Sequence, residues 1–373
     1  MADEGQVVQR KLSYGEAPRG FSDHAFKSNS GTELRVRVWP ADPPPTKPAP
    51  VVVWTHGGGW IAGYHYVPPP WLLPGFHNRG YHLVSHNYRL CPQARIDDQV
   101  ADCVEAVGWC RKNLPSILGQ GTVDVDRYVL CGESAGAHLA TLMTLHLPSP
   151  PPCAVINAYG VVDFFGLQVL EPAAGTVPQP WKGEFSDDEL DAFFNDRDPN
   201  NVLTDAPAWI EPGGVSDTDL SIRWGTDFRC TRRVRLQAEL LMYHTKRLAA
   251  STFLSATFHR EKFVTDDEFI AFVRSMSPLK VLQDEGKERG YPPTAFLHGG
   301  GDKNVPIQQS YDMAETLRKL GVPVVECYED GEPHNFDTKY TGPDVPGWST
   351  YIQPIIDFVD KHVGHTDSTV RVL

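Results

Sequence analysis

A serine lies between two glycines in the stretch Gly132-Glu133-Ser134-Ala135-Gly136. An apolar run at 128–131 precedes this stretch and a helix-forming segment at 138–147 follows it, which predicts a strand, a sharp turn and a helix. A serine at the tip of such a turn projects its hydroxyl beyond the sheet, where it can act as a nucleophile. The same pentapeptide also arises by chance in glycine-containing loops, but the predicted flanking elements favour a nucleophile elbow. Ser134 is therefore the candidate nucleophile.

A second glycine stretch, His56-Gly57-Gly58-Gly59-Trp60, follows directly after a predicted buried strand at 51–55. Consecutive glycines leave backbone amides uncovered and can adopt positive φ. Such amides at a strand end can donate hydrogen bonds to the oxyanion that forms when a carbonyl is attacked. A flexible loop is the alternative interpretation, but such loops rarely follow a strand with a histidine in front. Together the two stretches indicate a serine hydrolase.

With these motifs the chain resembles the α/β-hydrolase superfamily, and within it the hormone-sensitive-lipase-like esterases, from about Val51 to about Phe336. The segment Tyr88-Arg89-Leu90-Cys91-Pro92-Gln93 is similar to that family's Y-R-L-A-P-E, with Cys91 and Gln93 as departures. The segments Ser277-Pro278-Leu279 and Gly300-Gly301-Asp302 resemble its run into the strand that bears the acid. The resemblance implies an α/β-hydrolase fold: a mostly parallel eight-stranded sheet with helices on both faces and a helical cap insertion.

In this fold the catalytic acid and histidine follow the serine along the chain, at the ends of successive strands. Asp302 comes directly after a predicted strand ending at His298, and His334 comes after one ending at Tyr328. The chain between them has room for one helix and one strand, so both residues reach the same edge of the sheet. The predicted triad is therefore Ser134, His334 and Asp302.

Other histidines and acids are weaker candidates for the triad. His362 and His365 lie at the end of the C-terminal helix and in the tail, and His138 on the elbow helix is better explained by packing. Asp330 and Asp337 are too close in sequence to the candidate base to orient it in the usual way.

By resemblance, the oxyanion hole consists of the amides of Gly58, Gly59 and Ala135, with Gly57 shaping the loop. The stretches that contain these donors also contain the supporting residues His56, Gly132, Glu133 and Gly136. This chemistry requires no metal and no organic cofactor, and none is predicted.

The elements that must position these residues alternate between strands and helices. Leu34 to Trp39 alternates apolar and charged residues, which predicts a half-exposed antiparallel edge strand. Residues 31–163 and 277–373 are assigned to the core, and 164–276 to a helical cap. Residues 1–30 have no clear periodicity and form an N-terminal segment that would join the cap if it folds over the site.

The predicted cap contains two capping boxes, at Ser186-Asp187-Asp188-Glu189 and Thr265-Asp266-Asp267-Glu268, each followed by an apolar helix face. Lids of this kind set substrate choice. A basic cluster lies on one of its predicted helices: Arg229, Arg232, Arg233 and Arg235. It is interpreted as a solvated face that pairs with acidic segments; a site for an anionic substrate group is the alternative.

Composition excludes several classes of protein. A net charge of −13 over 373 residues disfavours a nucleic-acid partner, and no apolar run is long enough to cross a membrane. The acidic N-terminus predicts no secretory signal. Seven cysteines, an odd number in apolar patterns, are predicted to be buried free thiols in a reducing compartment, which indicates a cytoplasmic protein. The partner expected is a small-molecule substrate, and a homodimer is left open.

The function predicted from these features is cleavage of a small or medium-sized, apolar or aromatic carboxylic ester through an acyl-enzyme. The same triad would also serve arylformamide hydrolysis, which the stretches at 136–140 and 302–306 resemble, or acyl transfer or cyclisation in a natural-product pathway. A non-catalytic ligand receptor is a third alternative, but an intact triad argues against it.

Overall fold

Eight strands form one sheet in the computed structural model, which describes residues 15–29, 32–170, 182–207, 217–247 and 257–365. The strands are β1 (Ser22–Asn29), β2 (Thr32–Trp39), β3 (Ala49–Thr55), β4 (His82–His86), β5 (Val123–Glu133), β6 (Ala154–Ala158), β7 (Thr294–Gly299) and β8 (Val324–Glu329). Their order in the sheet is β1-β2-β4-β3-β5-β6-β7-β8. β2 runs antiparallel to β1 and β4, and every other neighbouring pair is parallel. The predicted mostly parallel eight-stranded sheet is confirmed.

The α-helices of the described residues are α1 (Leu72–Gly75), α2 (Ile96–Leu118), α3 (Ala135–Met143), α4 (Asp187–Phe194), α5 (Asp217–Trp224), α6 (Arg232–Arg247), α7 (Asp266–Ser275), α8 (Pro278–Arg289), α9 (Gln308–Lys319) and α10 (Gln353–Val363). Helices α4 to α7 lie in the long insertion between β6 and β7, where a helical cap is predicted. The predicted cap also includes residues 171–181, 208–216 and 248–256, which lie outside the described part of the chain.

Helices cover both faces of the sheet, as predicted, and the side chains of β3 illustrate this arrangement. Its alternate residues Val51 and Val53 belong to the apolar cluster that contains α2 and α3. Val52 and Trp54 belong to a second cluster that contains α10. Because both faces are buried, β3 is a continuous apolar run, without the alternation of a half-exposed strand.

The N-terminal edge of the sheet corrects two predictions. β2 is not an edge strand, because β1 pairs with it from Ser22 to Asn29 on the side away from β4. β2 is also not half-exposed at Arg37, which is fully buried and hydrogen-bonds Asp23 of β1. Residues 22–29 therefore belong to the sheet and not to a cap. Their sequence, SDHAFKSN, has no alternation of apolar and polar residues that would have predicted a strand.

Both predicted capping boxes are present at the starts of α4 and α7. The basic cluster pairs with acidic side chains, as predicted, although Arg229 precedes α6 and does not lie on it. The ion pairs are Arg229–Asp227, Arg232–Glu189, Arg233–Asp196 and Arg235–Glu184. Three of these pairs connect α6 to residues 184–196 of the same insertion.

None of the seven cysteines forms a disulfide bond, and five of them are buried. Among the described residues, no helix is long and apolar enough to cross a membrane. In the same part of the chain, no group of three or more His, Cys, Asp or Glu side chains is arranged to hold a metal ion.

Candidate active site

Ser134 stands at the junction between β5 and α3, with φ 52° and ψ −121°. A positive φ with this ψ is a conformation that non-glycine residues rarely adopt, and it is maintained only where the surroundings require it. The Ser134 amide donates to the Ala158 carbonyl at the end of β6, at 2.9 Å. The neighbouring strand therefore helps to hold the turn that presents the Ser134 hydroxyl.

The turn also depends on a close approach at Gly136, the last glycine of the motif. A Cβ atom there would lie 2.2 Å from the Thr55 carbonyl oxygen and 2.3 Å from that of His56. Both oxygens belong to the backbone at the end of β3, so neither can move aside cheaply. The first turn of α3 is thus packed directly against the start of the glycine loop, which we define as residues 56–63.

Gly136→Ala is accordingly expected to destabilise the protein by about 3 kcal/mol or more, because overpacking against backbone cannot relax. Thermal unfolding monitored by circular dichroism measures the change. Gly108→Ala on α2 is the matched control, since no atom lies within 4 Å of its added Cβ. That exposed helical position should become slightly more stable. Equal midpoints for the two variants would contradict the role given to the contact with β3.

Ser134, His334 and Asp302 form one chain of hydrogen bonds. Ser134 Oγ and His334 Nε2 are 3.0 Å apart, and His334 Nδ1 lies 2.6 Å from Asp302 Oδ2. The Asp302 carboxylate is fully buried, and the His334 side chain is only 11% exposed. The three predicted triad residues are therefore brought together from the ends of β5, β7 and β8.

Asp302 is held from several sides. Its Oδ1 accepts from the backbone N–H groups of Asn304 and Val305, at 2.8 and 2.9 Å. Burial alone would raise the pKa of Asp302, but hydrogen bonds from His298 and His334 outweigh it and hold that pKa well below its usual range. The carboxylate is therefore ionised wherever His334 needs a partner for its cation.

His298 is a site residue that the sequence did not reveal, because it reads only as the end of a strand. Its Nε2 lies 3.3 Å from Asp302 Oδ2 and 3.0 Å from the Val305 carbonyl. Since a carbonyl can only accept, Nε2 carries the proton, and Nδ1 accepts from the Ser310 hydroxyl at 2.7 Å. His298 thus donates to the same carboxylate as His334 and fixes its orientation.

Tyr159 is a second residue that the sequence did not reveal. Its ring meets that of His334 edge-on, with centroids 4.8 Å apart, and its backbone has φ 43°. The Tyr159 hydroxyl donates to Asp337, which also accepts from the indole of Trp71, at 2.7 and 2.8 Å. Asp337 therefore does not orient the base directly but anchors the tyrosine that packs on it.

Glu133 connects the elbow to the glycine loop. Its Oε1 lies 3.4 Å from the amide of Gly57, a long hydrogen bond. Burial and the nearby Asp337 carboxylate raise the pKa of Glu133 to about 8. The residue before the nucleophile therefore lies in a setting that disfavours a second negative charge.

The glycine loop makes a tight turn at the end of β3. Gly58 and Gly59 have φ values of 114° and 60°, which glycine adopts without strain. The Gly58 carbonyl accepts from the amides of Ile61 and Ala62, at 3.2 and 2.8 Å, which closes the turn. His56, the first residue of the loop, stacks on Tyr88, with ring centroids 4.3 Å apart.

His138 is a packed helix histidine, as predicted. It is fully buried, and its Nδ1 accepts from the indole of Trp60 at 3.1 Å while Nε2 donates to the Met276 carbonyl at 2.8 Å. Burial lowers the pKa of His138 to about 4, which keeps the ring neutral. His365 lies away from the site and contacts the carbonyl of Arg79.

Two protein-family models match separate parts of the chain. The model described as BD-FAE matches residues 41–182, and that of the Prolyl oligopeptidase family matches residues 227–366. The first range contains the glycine loop and the elbow, and the second contains Asp302 and His334.

Curated relatives align with most of this chain, but the chain spans only part of the length of each relative. A non-reducing polyketide synthase of Acremonium egyptiacum is 25% identical over 366 residues, which cover 95% of this chain and 16% of that protein. A probable isoprenylcysteine alpha-carbonyl methylesterase of Arabidopsis thaliana is 24% identical over 333 residues, which cover 88% of this chain and 51% of the relative.

Solved structures match along nearly the whole chain. A thermophilic esterase of Thermogutta terrifontis has 18% identity and a TM-score of 0.53, with 94% of this chain and 95% of that chain covered. An alpha/beta hydrolase superfamily protein of Enterococcus faecalis has 18% identity and a TM-score of 0.57, with 92% and 98% covered. At these identities the similarity shows the fold, which is that of the α/β hydrolases.

Proposed function

We propose that this chain, an α/β hydrolase by its fold, is a serine esterase that cleaves carboxylic esters through an acyl-enzyme. The observation that carries the proposal is the line of hydrogen bonds from Ser134 Oγ through His334 to Asp302, with contacts of 3.0 and 2.6 Å. A nucleophile, a base and an orienting acid in this order are what acyl transfer requires. The esterases among the relatives and solved structures support the same conclusion.

In acylation, His334 Nε2 accepts the proton of Ser134 Oγ as that oxygen attacks the ester carbonyl carbon. The carbonyl electron pair moves onto its oxygen and forms a tetrahedral oxyanion. When the intermediate collapses, the bond to the alcohol oxygen breaks and the alcohol takes the proton from His334. Asp302 keeps Nδ1 protonated and stabilises the imidazolium while it exists.

In deacylation, a water molecule gives a proton to His334 and its oxygen attacks the acyl carbonyl. Collapse of the second intermediate releases the carboxylic acid and returns the proton to Ser134 Oγ, so the enzyme is unchanged. We assign the oxyanion to the amides of Gly58, Gly59 and Ala135, and removal of one such donor typically costs about 10²–10³ in turnover.

The proposed substrate is a small or medium-sized ester with an apolar or aromatic part. The ring of Trp60, in the glycine loop, lies 5.3 Å from that of Phe164, which lies 4.8 Å from that of Phe258. The arginines of the basic cluster are paired with acids, as described above, so they offer little attraction to an anionic group. These surroundings favour apolar contacts.

The state of the cysteine thiols indicates the cellular compartment of the protein. Seven cysteines without a disulfide bond, five of them buried, are typical of proteins kept in a reducing environment. We therefore assign the protein to the cytoplasm.

Acyl transfer to an acceptor other than water is a second candidate function. It is favoured by the polyketide synthase relative, because 95% of this chain aligns with 16% of that protein, a stretch the size of one domain. The first half-reaction is the same in both functions, and only the acceptor that attacks the acyl-enzyme differs.

A turnover screen separates these functions. We expect p-nitrophenyl and short aromatic esters to be hydrolysed, with a burst of the released alcohol or phenol that approaches the enzyme concentration wherever deacylation is the slower step, because the acyl-enzyme then accumulates. Formylated aromatic amines test amide hydrolysis, and added alcohols or amines test transfer by mass spectrometry of the products. Turnover of the formamides alone, or products formed only with an added acceptor, would replace the esterase proposal with the corresponding alternative.

A further inference from the structure

A buried glutamine of the cap reaches the glycine loop. Gln237, on α6, is fully buried, and its Nε2 donates to the carbonyls of Ile61 and Cys91, both at 2.5 Å. Ile61 belongs to the glycine loop, and Cys91 follows β4. Because both contacts are carbonyl oxygens, only the amide nitrogen can face them, and each of its two hydrogens has one acceptor.

A second part of the cap also holds this loop. Gly63, the last residue of the loop, exchanges backbone hydrogen bonds with Ala206, at 2.6 and 2.8 Å. The backbone of Gly63 is pressed so closely onto the loop that an added Cβ would lie 2.1 Å from the Gly57 carbonyl oxygen. Beside this bridge, the buried Asp205 accepts from His65 Nδ1 at 2.7 Å.

The loop has little conformational preference of its own. Three consecutive residues, Gly58, Gly59 and Trp60, have positive φ, at 114°, 60° and 62°. Glycines gain the most freedom when such a conformation is released, so the loop needs contacts from outside to keep one arrangement of its amides. On the side of Ile61 that contact comes from Gln237.

We propose that Gln237 is a positioning residue for the oxyanion hole, so that the cap helps to build the catalytic site and does not only select the substrate. The inference rests on the proposed esterase function. Oxyanion donors lower a barrier only when they are already aimed at the place where charge develops. Gln237 acts through Ile61 by fixing the turn that aims the amides of Gly58 and Gly59.

The test compares an ester with its matched thiono ester, in which sulfur replaces the carbonyl oxygen. Sulfur is larger and accepts hydrogen bonds poorly, so aimed amides favour the oxygen substrate, and the ratio of the two kcat/KM values reports on the oxyanion hole. Gln237→Met keeps the volume and removes both donors, and Gln237→Glu keeps the shape but puts an acceptor against two carbonyls. A ratio measured on one preparation does not depend on how much of it is folded.

For Gln237→Met we expect kcat for the ester to fall about 10- to 100-fold, as for a misplacement of around 1 Å, with KM within about threefold. The ratio of kcat/KM for the ester to kcat/KM for the thiono ester should fall by about tenfold. We expect Gln237→Glu to lower this ratio as well. Tyr243→Phe is the matched control, because it removes from the same helix a hydroxyl that donates to Asp191 of the cap at 3.1 Å.

An unchanged ratio in both Gln237 variants would overturn the inference while leaving esterase activity intact. An equal fall in Tyr243→Phe would also overturn it, since the effect would then come from a generally loosened cap. If the wild-type protein cleaved neither substrate, the proposed function itself would fail, and this outcome is distinct from the other two.

Discussion

Ser134→Ala is expected to lower kcat for the best ester by about 10⁶, to the level that binding and the oxyanion hole supply without a nucleophile. The hydroxyl removed is the one that lies 3.0 Å from His334 Nε2. Labelling by a fluorophosphonate probe should disappear together with turnover.

Intact folding is checked by circular dichroism, and Ser275→Ala is the matched control. Ser275 lies at the exposed end of α7, where its hydroxyl donates to the Phe272 carbonyl. That variant should retain labelling and turnover. Wild-type labelling of Ser134→Ala would mean that another residue is the nucleophile.

Asp302→Asn is expected to lower kcat by about 10⁴, because an amide cannot both accept from His334 Nδ1 and stabilise its cation. Combined with Ser134→Ala it should cost little more than the serine change alone, since triad members act as one unit. Asp330→Asn, an exposed carboxylate close to His334 in sequence, is the matched control and should leave kcat within about threefold. A similar loss in both variants would contradict the assignment.

The effect of Asp302→Asn on the stability of the fold is expected to depend on pH. The pKa of Asp302 is lower in the folded protein than in the unfolded chain, where it is about 3.9. The charge therefore stabilises the fold fully above that value, and its contribution is lost as pH falls further toward the folded pKa. Thermal unfolding should accordingly show Asp302→Asn less stable than wild type at pH 7, with the difference shrinking below about pH 4. A difference that grew on acidification would contradict this.

Much of the site could be predicted because it consists of local patterns. The elbow and the glycine loop are short stretches whose glycines are required by turns and by close backbone contacts, and each stretch is recognisable on its own. The positions of Asp302 and His334 follow from a rule of the fold, that such residues stand at the ends of successive strands. These signals need no knowledge of the packing.

The rest of the site arises from contacts between distant parts of the chain. Tyr159 and Asp337 are 178 residues apart, and Gln237 and Ile61 are 176 residues apart. Nothing near Gln237 in sequence distinguishes it from the other polar residues of α6. His298 likewise reads as an ordinary strand residue until β7 and the loop after it are folded around Asp302.

β1 could not be predicted for a different reason. Its partner strand β2 contains Arg37, a charged residue that periodicity places on the solvent side. In the structure its guanidinium lies 3.6 Å from the centre of the Phe21 ring and donates to Asp23, so the charge is buried with partners. A pattern of apolar and polar residues cannot indicate that a charge will find such a setting.

The insertion leaves the core and returns to it at a single point, where the Leu279 amide donates to the Val162 carbonyl at 2.9 Å. The entropy lost in closing a loop grows with the logarithm of its length, about 0.6 kcal/mol for each doubling. Connectivity therefore sets almost no limit on the size of the segment joined there, and this junction suits the construction of chimeras. Gln237, which donates to the carbonyls of Ile61 and Cys91, belongs to the insertion and is removed with it. A transplanted segment must therefore supply new hydrogen-bond donors for these two carbonyls.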